Sequence, residues 1–562
     1  MKKLKYISKH KISKGVLAAS IGLGLGVTTV IPTHGTTVYA SENTVVKYEE
    51  LAKDFLQKAL SQDFDGLLTI SSENLKAAVT KEDLATLFAP TIAMKDEFKS
   101  PQANETKTNT VHTIVSHTYQ TSRGPLNVVV YFNKQGKVDD FNITQPTPTL
   151  PYQSPSYDHP ETYNENAITI GEGAFATPGT LTMPKGEGPF PVIVLVHGSG
   201  PNDQDSTIYG LKPFRDIAVG LAKEGIATIR YEKRTREHPI KATINKKFSI
   251  YEETVEDALL AVEFAKSVDK VNSKEIYVLG HSQGGYALPK LINADKNDMV
   301  KGVISVSAPN QEFHELIIWQ YEEQLKRLEK SGAPAEVIKQ QKQAIEMQKM
   351  MFADIDNPKY SKDNLPPQLN YWWYDLKDYI PADVAKDQTK PMLMLQGNKD
   401  IQVPGSHLDS WKSALSNRED VQYKLYPNMT HVLFNFDGEP TGQEYALPNN
   451  VAPELIQDIT SWVKTGKIST EPKNENPTTN WENILVKPGQ IGRVTITKPI
   501  NLWTRDKENK LVYVRTLQPN EVYRVYGFSS KYGGQFNLGA NHWVTDMDGY
   551  VTFEEVPEEL KK

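Results

Sequence analysis

The chain contains no cysteine. That absence excludes disulfides, thiolate metal sites and a cysteine nucleophile, so stability must come from packed cores and covalent catalysis from another side chain. Beyond the first forty residues no stretch approaches the roughly 20 consecutive apolar residues that a membrane-crossing helix needs, so no membrane span is expected after them. Basic residues are also in deficit. Lys and Arg number 63 against 69 Asp and Glu; without the six lysines of residues 1–40 the balance is 57 against 69, a net charge of −12. Such a surface argues against nucleic acid or an anionic membrane as a partner. What is present is 38% hydrophobic residues over 562 positions. That suits more than one domain, since single cores seldom grow past about 250 to 300 residues.

The six early lysines, Lys2, Lys3, Lys5, Lys9, Lys11 and Lys14, precede an apolar stretch from Gly15 to about Ile31, which leads to Val38-Tyr39-Ala40. A basic start, an apolar core and a small-x-small end describe an export signal, so residues 1–40 are expected to be removed and the rest secreted. A secreted chain without cysteine fits a Gram-positive style exporter.

The most informative segment is Gly280-His281-Ser282-Gln283-Gly284-Gly285, which follows the apolar run Ile276-Tyr277-Val278-Leu279. A serine hydroxyl is a weak nucleophile unless a tight turn lifts it out of its strand toward a base, and the flanking glycines permit such a turn. About eighty residues upstream, Pro191-Val192-Ile193-Val194-Leu195-Val196 runs into His197-Gly198-Ser199-Gly200-Pro201. A buried strand ending in glycines lets backbone N–H groups turn toward a ligand. Ser199 and Gln283 are therefore the expected oxyanion donors, beside Ser282 as nucleophile.

In a hydrolase of this kind the partners follow the serine in the order acid, histidine. Four histidines lie downstream: His314, His407, His431 and His542. His431 follows the alternating stretch Val421 to Leu425, at the end of a strand, where open α/β sheets place their sites. His407 is expected on the next helix and at the surface, His314 begins a helical insert, and His542 belongs to another domain. Asp400 ends the strand-and-turn segment Met392 to Lys399, where a carboxylate can accept the imidazole N–H and fix its tautomer. Asp409 is the substitute.

The segments HGSGPNDQD (197–205), IRYEKR (229–234), LGHSQGG (279–285), MLQGNKDIQVP (394–404) and YPNMTHVLF (426–434) resemble the α/β-hydrolase superfamily, most specifically the EstD-type esterases, over about residues 165–465. These are similar to the serine aminopeptidase and dienelactone-hydrolase branches, although the latter uses a thiol that this chain lacks. The resemblance implies Ser282 as nucleophile, Asp400 as acid and His431 as base, with no cofactor and no metal. The chain departs from the family's RYDKRG pattern at Glu232 and Thr235, so the loop there is expected to differ in shape.

Strands at Ile226 to Tyr231 and Gly302 to Ala308 alternate with a helix over Glu252 to Lys266, which predicts a mostly parallel sheet. Residues Asn310 to Lys390 exceed what a crossover needs. They hold two charged amphipathic helices, Glu312 to Ser331 and Pro334 to Phe352, and then Tyr371-Trp372-Trp373-Tyr374. An insert here is expected to cap the nucleophile. Trp372, Trp373 and Tyr374 then either line an acyl pocket or attach the cap to the body.

Residues 46–145 read as a small α+β domain resembling the DUF3887 domain that precedes some of these esterases. A helix carries Leu51, Phe55, Leu56 and Leu60, and strands are expected over Thr108 to His117 and Leu126 to Phe132. His112 and His117 have no carboxylate at ligand spacing, so no metal is expected there. A proline-rich linker covers 146–160, the catalytic domain 161–465, a polar linker 466–482, and a small β module 483–562. That last module resembles SH3-like modules of exported Gram-positive wall enzymes. Trp503, Tyr526, Tyr532 and Trp543 would stack on sugars or fill its core.

The expectation is a secreted serine esterase of α/β-hydrolase fold, with a helical cap insert and small α+β and all-β flanking domains. Its partner is a small-molecule or acyl ester, with cell-wall association through the terminal module. Two alternatives stand beside it. One is a peptidase that would hold a substrate amine on Glu315, Glu322 or Asp375; the other is a wall-binding protein on a hydrolase scaffold.

Overall fold

The computed structural model describes residues 42–557 apart from 148, 469–479, 482–483, 488, 507 and 540. The export signal expected in residues 1–40, and most of the polar linker, lie outside the described residues. No helix among the described residues is long and apolar enough to cross a membrane.

The N-terminal part packs helices Glu42–Leu60, Phe64–Ile70, Glu73–Ala78 and Lys81–Ile92 on an antiparallel sheet. Its strands β1 (Ala103–Thr108), β2 (Thr113–Thr121), β3 (Gly124–Phe132) and β4 (Val138–Thr144) pair in chain order. The helical spacing of the apolar residues buries Phe55 and Leu56 completely or nearly so, and Phe55, Phe88 and Phe141 meet ring to ring at 4.9–5.8 Å. The strand expected over Thr108 to His117 is broken. Asn109 Oδ1 accepts the N–H groups of Val111 (2.8 Å) and His112 (2.7 Å), an Asx turn that ends one strand and starts the next.

The catalytic part is built on an eight-stranded sheet: β5 (Tyr163–Ile170), β6 (Thr177–Pro184), β7 (Phe190–Val196), β8 (Ala227–Tyr231), β9 (Val271–His281), β10 (Gly302–Val306), β11 (Met392–Gly397) and β12 (Val421–Tyr426). The spatial order is β12-β11-β10-β9-β7-β8-β6-β5. From β12 to β8 the pairs are parallel; β6 and β5 are antiparallel additions. With helices over it, β8, β10 and β11 are buried at every position. That is why they read as mostly apolar runs rather than alternating ones, interrupted only by Thr228 and Arg230 in β8, Ser305 in β10 and Gln396 in β11. This is the α/β-hydrolase fold.

Two details differ from expectation. The helix expected over Glu252 to Lys266 is α-helical only over Glu256–Lys266; Tyr251–Val255 before it form a π-helical turn. The proline-rich stretch 146–160 is irregular, as its prolines require, but it is tied to the catalytic part. Tyr152 donates its hydroxyl to Asp216 (2.7 Å) and Tyr157 donates to the Val451 carbonyl (2.7 Å).

The insert contains helices Phe313–Lys330 and Ala335–Phe352, within a residue or two of the expected bounds, then Tyr371–Asp375 and Pro381–Ala385. The C-terminal part is all-β. The short strands Asn480–Trp481 and Ile484–Leu485 pair first, one antiparallel sheet sets Gly492–Ile496 between Val522–Val525 and Val551–Glu555, and another has five strands. There the Arg505 guanidinium stacks 3.8 Å from the Trp543 ring, Trp503 is half-buried against Tyr513, and Tyr532 is exposed.

Candidate active site

The strand order supplies the location. From β7 the chain moves to β8 on one side, then crosses back to β9 on the other, so the loops after β7 and β9 part at a switch point where open α/β sheets bind ligands. Both motifs read in the sequence sit at these C-terminal strand ends.

Ser282 follows β9 and precedes the helix Gln283–Ala294, with φ 54° and ψ −118°, a region that side chains normally avoid. Three glycines make the turn possible. A Cβ on Gly280 would lie 2.4 Å from the Gly284 carbonyl oxygen, one on Gly284 2.3 Å from that of Val196, and one on Gly285 2.6 Å from the Ala308 side chain. The Ser282 N–H bonds the Val306 carbonyl (2.9 Å), which ties the elbow to the end of β10. The Ser282 side chain is half-buried.

Asp400 and His431 arrive on the loops after β11 and β12. These loops are stitched together: the Asn398 N–H bonds Tyr426 O (2.8 Å), and the Lys399 N–H bonds Met429 O (3.0 Å). Gly397 permits the approach, because a Cβ there would sit 2.1 Å from Met429 O. The result is a 2.7 Å contact between His431 Nδ1 and Asp400 Oδ2, with both side chains almost wholly buried. Asp400 is itself held. Its Oδ1 accepts the N–H groups of Gln402 (2.9 Å) and Val403 (2.8 Å), and its Oδ2 also accepts Gln396 Nε2 (3.2 Å). A carboxylate bonded on every side cannot swing, so it fixes the plane and tautomer of the imidazole.

His281, the neighbour of Ser282, connects elbow and histidine. Its Nε2–H donates to the His431 carbonyl (2.8 Å), and the two rings lie 4.8 Å apart. Burial, followed by the adjacent His431, pulls the His281 pKa down to about 3, so it stays neutral and acts as a strut. His197 is likewise pushed down to about 3, by burial and then by Lys233.

The loop after β7 is oriented by side chains that sequence reasoning passed over. Lys233 Nζ donates to the Gly198 carbonyl (2.8 Å), and Asn202 Nδ2 faces the carbonyls of Gly198 (3.2 Å), Ser199 (2.9 Å) and Gly200 (3.1 Å). In a trans peptide the N–H points opposite to the carbonyl, so the Ser199 N–H is turned away from Lys233. A Cβ on Gly198 would lie 3.1 Å from the Ser282 Cβ, which puts this peptide beside the serine. The Gln283 N–H opens a helix and has no partner within it.

Lys233 is buried and needs a counter-charge. Glu253 provides it: Lys233 Nζ lies 2.7 Å from Glu253 Oε1. The other oxygen, Glu253 Oε2, accepts Gln283 Nε2 (3.0 Å) and Trp372 Nε1 (2.6 Å). One carboxylate thus joins the β7 loop, the residue after Ser282 and the insert. It sits on the π-helical turn, a distortion often found at functional sites. The only signal in the sequence was a lysine inside the IRYEKR segment and a glutamate in the stretch expected to be a helix, with no motif linking them.

Of the aromatic triplet, only Trp372 reaches this group. Trp373 is buried against Phe352 (ring centroids 4.9 Å) and Phe313 (6.2 Å), and Tyr374 is buried with it, so these two hold the insert together. His407 corrects the expectation of a surface position. It lies on the expected helix but is buried, and its Nδ1 accepts the Asn310 N–H (3.0 Å). Asp409 on the same helix is exposed and the substitute role lapses. Among the insert carboxylates, Glu322 pairs with Lys349 and Asp375 with Lys362, while Glu315 is exposed.

Esterase EstD of Thermotoga maritima is 32% identical over 416 residues, spanning 74% of this chain and 95% of its own length. The chain belongs to the EstD esterase family. It is a carboxylic ester hydrolase and a serine hydrolase of α/β type. Within the EstD-family chain, residues 189–438 match the serine aminopeptidase, S33, family profile. Solved structures similar to this esterase include Est1E from Butyrivibrio proteoclasticus, at 16% identity and TM-score 0.33 over 53% of this chain and 98% of that one. Another is the Pyrococcus horikoshii acylaminoacyl peptidase, at 14% identity and TM-score 0.35 over 65% and 50%.

Proposed function

We propose that the chain is a secreted esterase working through a Ser282–His431–Asp400 triad and an acyl-enzyme. The observation that carries this reading is the 2.7 Å His431–Asp400 contact beside a serine held at φ 54°. Ser282 Oγ attacks the ester carbonyl and His431 Nε2 takes its proton. The N–H groups of Ser199 and Gln283 receive the oxyanion, each worth roughly 3 kcal/mol of barrier. Collapse expels the alcohol, which takes the proton back from His431. Water then enters by the same route and frees the acid. Export through residues 1–40 and wall association through the terminal β module complete the proposal, with a small-molecule or acyl ester as substrate.

Ser282→Ala is expected to lower ester hydrolysis by a factor on the order of 10⁶ and to abolish fluorophosphonate labelling. Undiminished labelling of the variant would sink the assignment. The S33 match over residues 189–438 keeps an amidase reading in view. Matched ester and amide substrates separate the two. The ester is expected to turn over faster, because no insert carboxylate named for amine binding is left both sheltered and unpaired.

A further inference from the structure

A second histidine–carboxylate cluster lies away from the triad, where the N-terminal sheet meets the catalytic part. His112 comes from the turn after β1, Asp139 from β4, and His238 from the segment after β8. All three are buried, and their ligand atoms lie within 4.8 Å of one another. We propose that this cluster is a binding site for a divalent transition metal of the Zn²⁺ class.

The argument rests on counting lone pairs. His238 Nε2 bonds the Ala176 carbonyl (2.8 Å), so that nitrogen carries the proton and Nδ1 carries a lone pair. His238 Nδ1 is buried with no hydrogen-bond partner. His112 is bracketed by carboxylates, with Nδ1 2.6 Å from Glu237 Oε1 and Nε2 3.0 Å from Asp139 Oδ2. A neutral imidazole has one ring proton, so one of these contacts would set lone pair against lone pair unless a cation intervenes. A second proton on His112 would satisfy Asp139 but would leave His238 Nδ1 bare. A divalent ion satisfies all three atoms at once.

The surroundings match what metal-bound histidines require. Each directs its remaining ring nitrogen to a carboxylate or a backbone carbonyl: His112 to Glu237, His238 to Ala176. Two imidazoles and one carboxylate, with a fourth position for water, are a donor set suited to Zn²⁺ and to Co²⁺ in its place. The rings are 5.2 Å apart and close to perpendicular, so both nitrogens can face one point. Asp139 is pre-positioned by the Ser72 hydroxyl (2.6 Å) and the Lys241 ammonium, which also donates to the Ala174 carbonyl (2.9 Å). Lys241 bonds the same Asp139 oxygen, Oδ2, that faces His112, so it tempers the affinity while leaving both imidazoles unoccupied. The ion would cross-link the N-terminal sheet to the catalytic part. Its role is that of a staple rather than a reagent. The expectation of no metal at His112 followed from the lack of a carboxylate nearby in sequence, whereas the carboxylate and second imidazole that the fold brings to it lie 27 and a further 99 residues along the chain.

The test uses the full mature chain without a histidine tag, stripped with a chelator and reloaded with Zn²⁺ or Co²⁺. The expected result is one metal retained per chain after desalting, a Tm that rises with free Zn²⁺, and ligand-field bands of a low-coordinate Co²⁺ site. His238→Gln and, as a second variant, His112→Gln should lose metal and bands while circular dichroism and cooperative unfolding report a folded chain. His431→Ala should keep both. No retained metal in the parent, retention unchanged in folded His238→Gln, or loss in His431→Ala would each overturn the proposal.

Discussion

Two histidine–carboxylate pairs divide this molecule between them. His431 meets Asp400 at 2.7 Å at the C-terminal edge of the large sheet, and His112 meets Asp139 at 3.0 Å where the N-terminal sheet joins the catalytic part. Both are buried, yet their surroundings assign them opposite work. Asp400 is bonded by two backbone N–H groups and a glutamine amide, all neutral donors, so its charge remains available to His431. Asp139 shares its charge with Lys241, and the imidazole of His112 has a second carboxylate, Glu237, on its far side. In the proposed triad His431 spends one nitrogen on Asp400 and the other on proton transfer, whereas His112 is held at both nitrogens and can only hold parts together.

The sharpest way to break that contrast is the same substitution at both carboxylates. Asp400→Asn should lower kcat by about 10⁴-fold, because an amide can stabilise the wrong tautomer, while the unfolding midpoint moves little. Asp139→Asn should act first on stability, at about 3–5 kcal/mol, because it leaves Lys241 buried without its counter-charge. Steady-state rates and urea unfolding on both variants decide it. A stability loss at Asp400 equal to that at Asp139, with kcat preserved, would erase the distinction.

The difference was also one of legibility. The residues of the proposed triad, Ser282, Asp400 and His431, each sit in a short motif just after a strand, in the chain order this fold imposes, so spacing and sequence pattern were enough to single them out. The strands before Ser282 and Asp400 read clearly because Ile276 to Leu279 and Met392 to Leu395 are continuous apolar runs, and the one before His431 because it alternates. The Asp139 cluster has neither advantage. His112 reaches it through an Asx turn at Asn109 that interrupts what read as one strand, and His238 follows the short helix Arg234–Glu237, in the stretch where Thr235 departs from the family pattern. His407 was misplaced for a related reason. Its helix was foreseen, but which face of that helix the Asn310 loop covers is a tertiary fact. The π-helical turn at Tyr251–Val255 escaped notice because it leaves helical periodicity almost intact.

Between these extremes lies Glu253, paired with Lys233 and bonded to Gln283, the residue after the proposed nucleophile. If its pairing with Lys233 orients the Gly198 peptide, then Glu253→Gln should lower kcat by roughly 10–100-fold, less than the roughly 10²–10³ that losing an oxyanion donor outright costs, because the donor is misaligned and not removed. KM should change less, since the loss falls on the transition state. A KM rise with kcat unchanged would place Glu253 in substrate binding instead. Lys233→Met separates charge from packing. It removes the Gly198 contact along with the buried ammonium, and should reproduce the kcat loss if orientation is what matters.

The smallest expected effect sharpens the role of the insert. Trp372 donates its indole N–H to Glu253 at 2.6 Å, while Trp373 beside it is packed against Phe313 and Phe352. Trp372→Phe keeps an aromatic ring and removes only the hydrogen bond, for which about 1.5–3 kcal/mol is typical when the acceptor is charged. Gln283 and Lys233 still satisfy Glu253, so stability should fall by less than that. The indole instead ties the insert to Glu253, and its loss should widen the range of acyl lengths accepted, seen as kcat/KM values that converge across a series from acetyl to long-chain esters. Trp373→Ala should do the reverse, destabilising the insert while leaving the ranking of acyl chains in place. If Trp372→Phe left the ranking intact and Trp373→Ala reordered it, the pocket would lie on the other side of the tryptophan pair, and Glu253 would hold the insert without shaping what it admits.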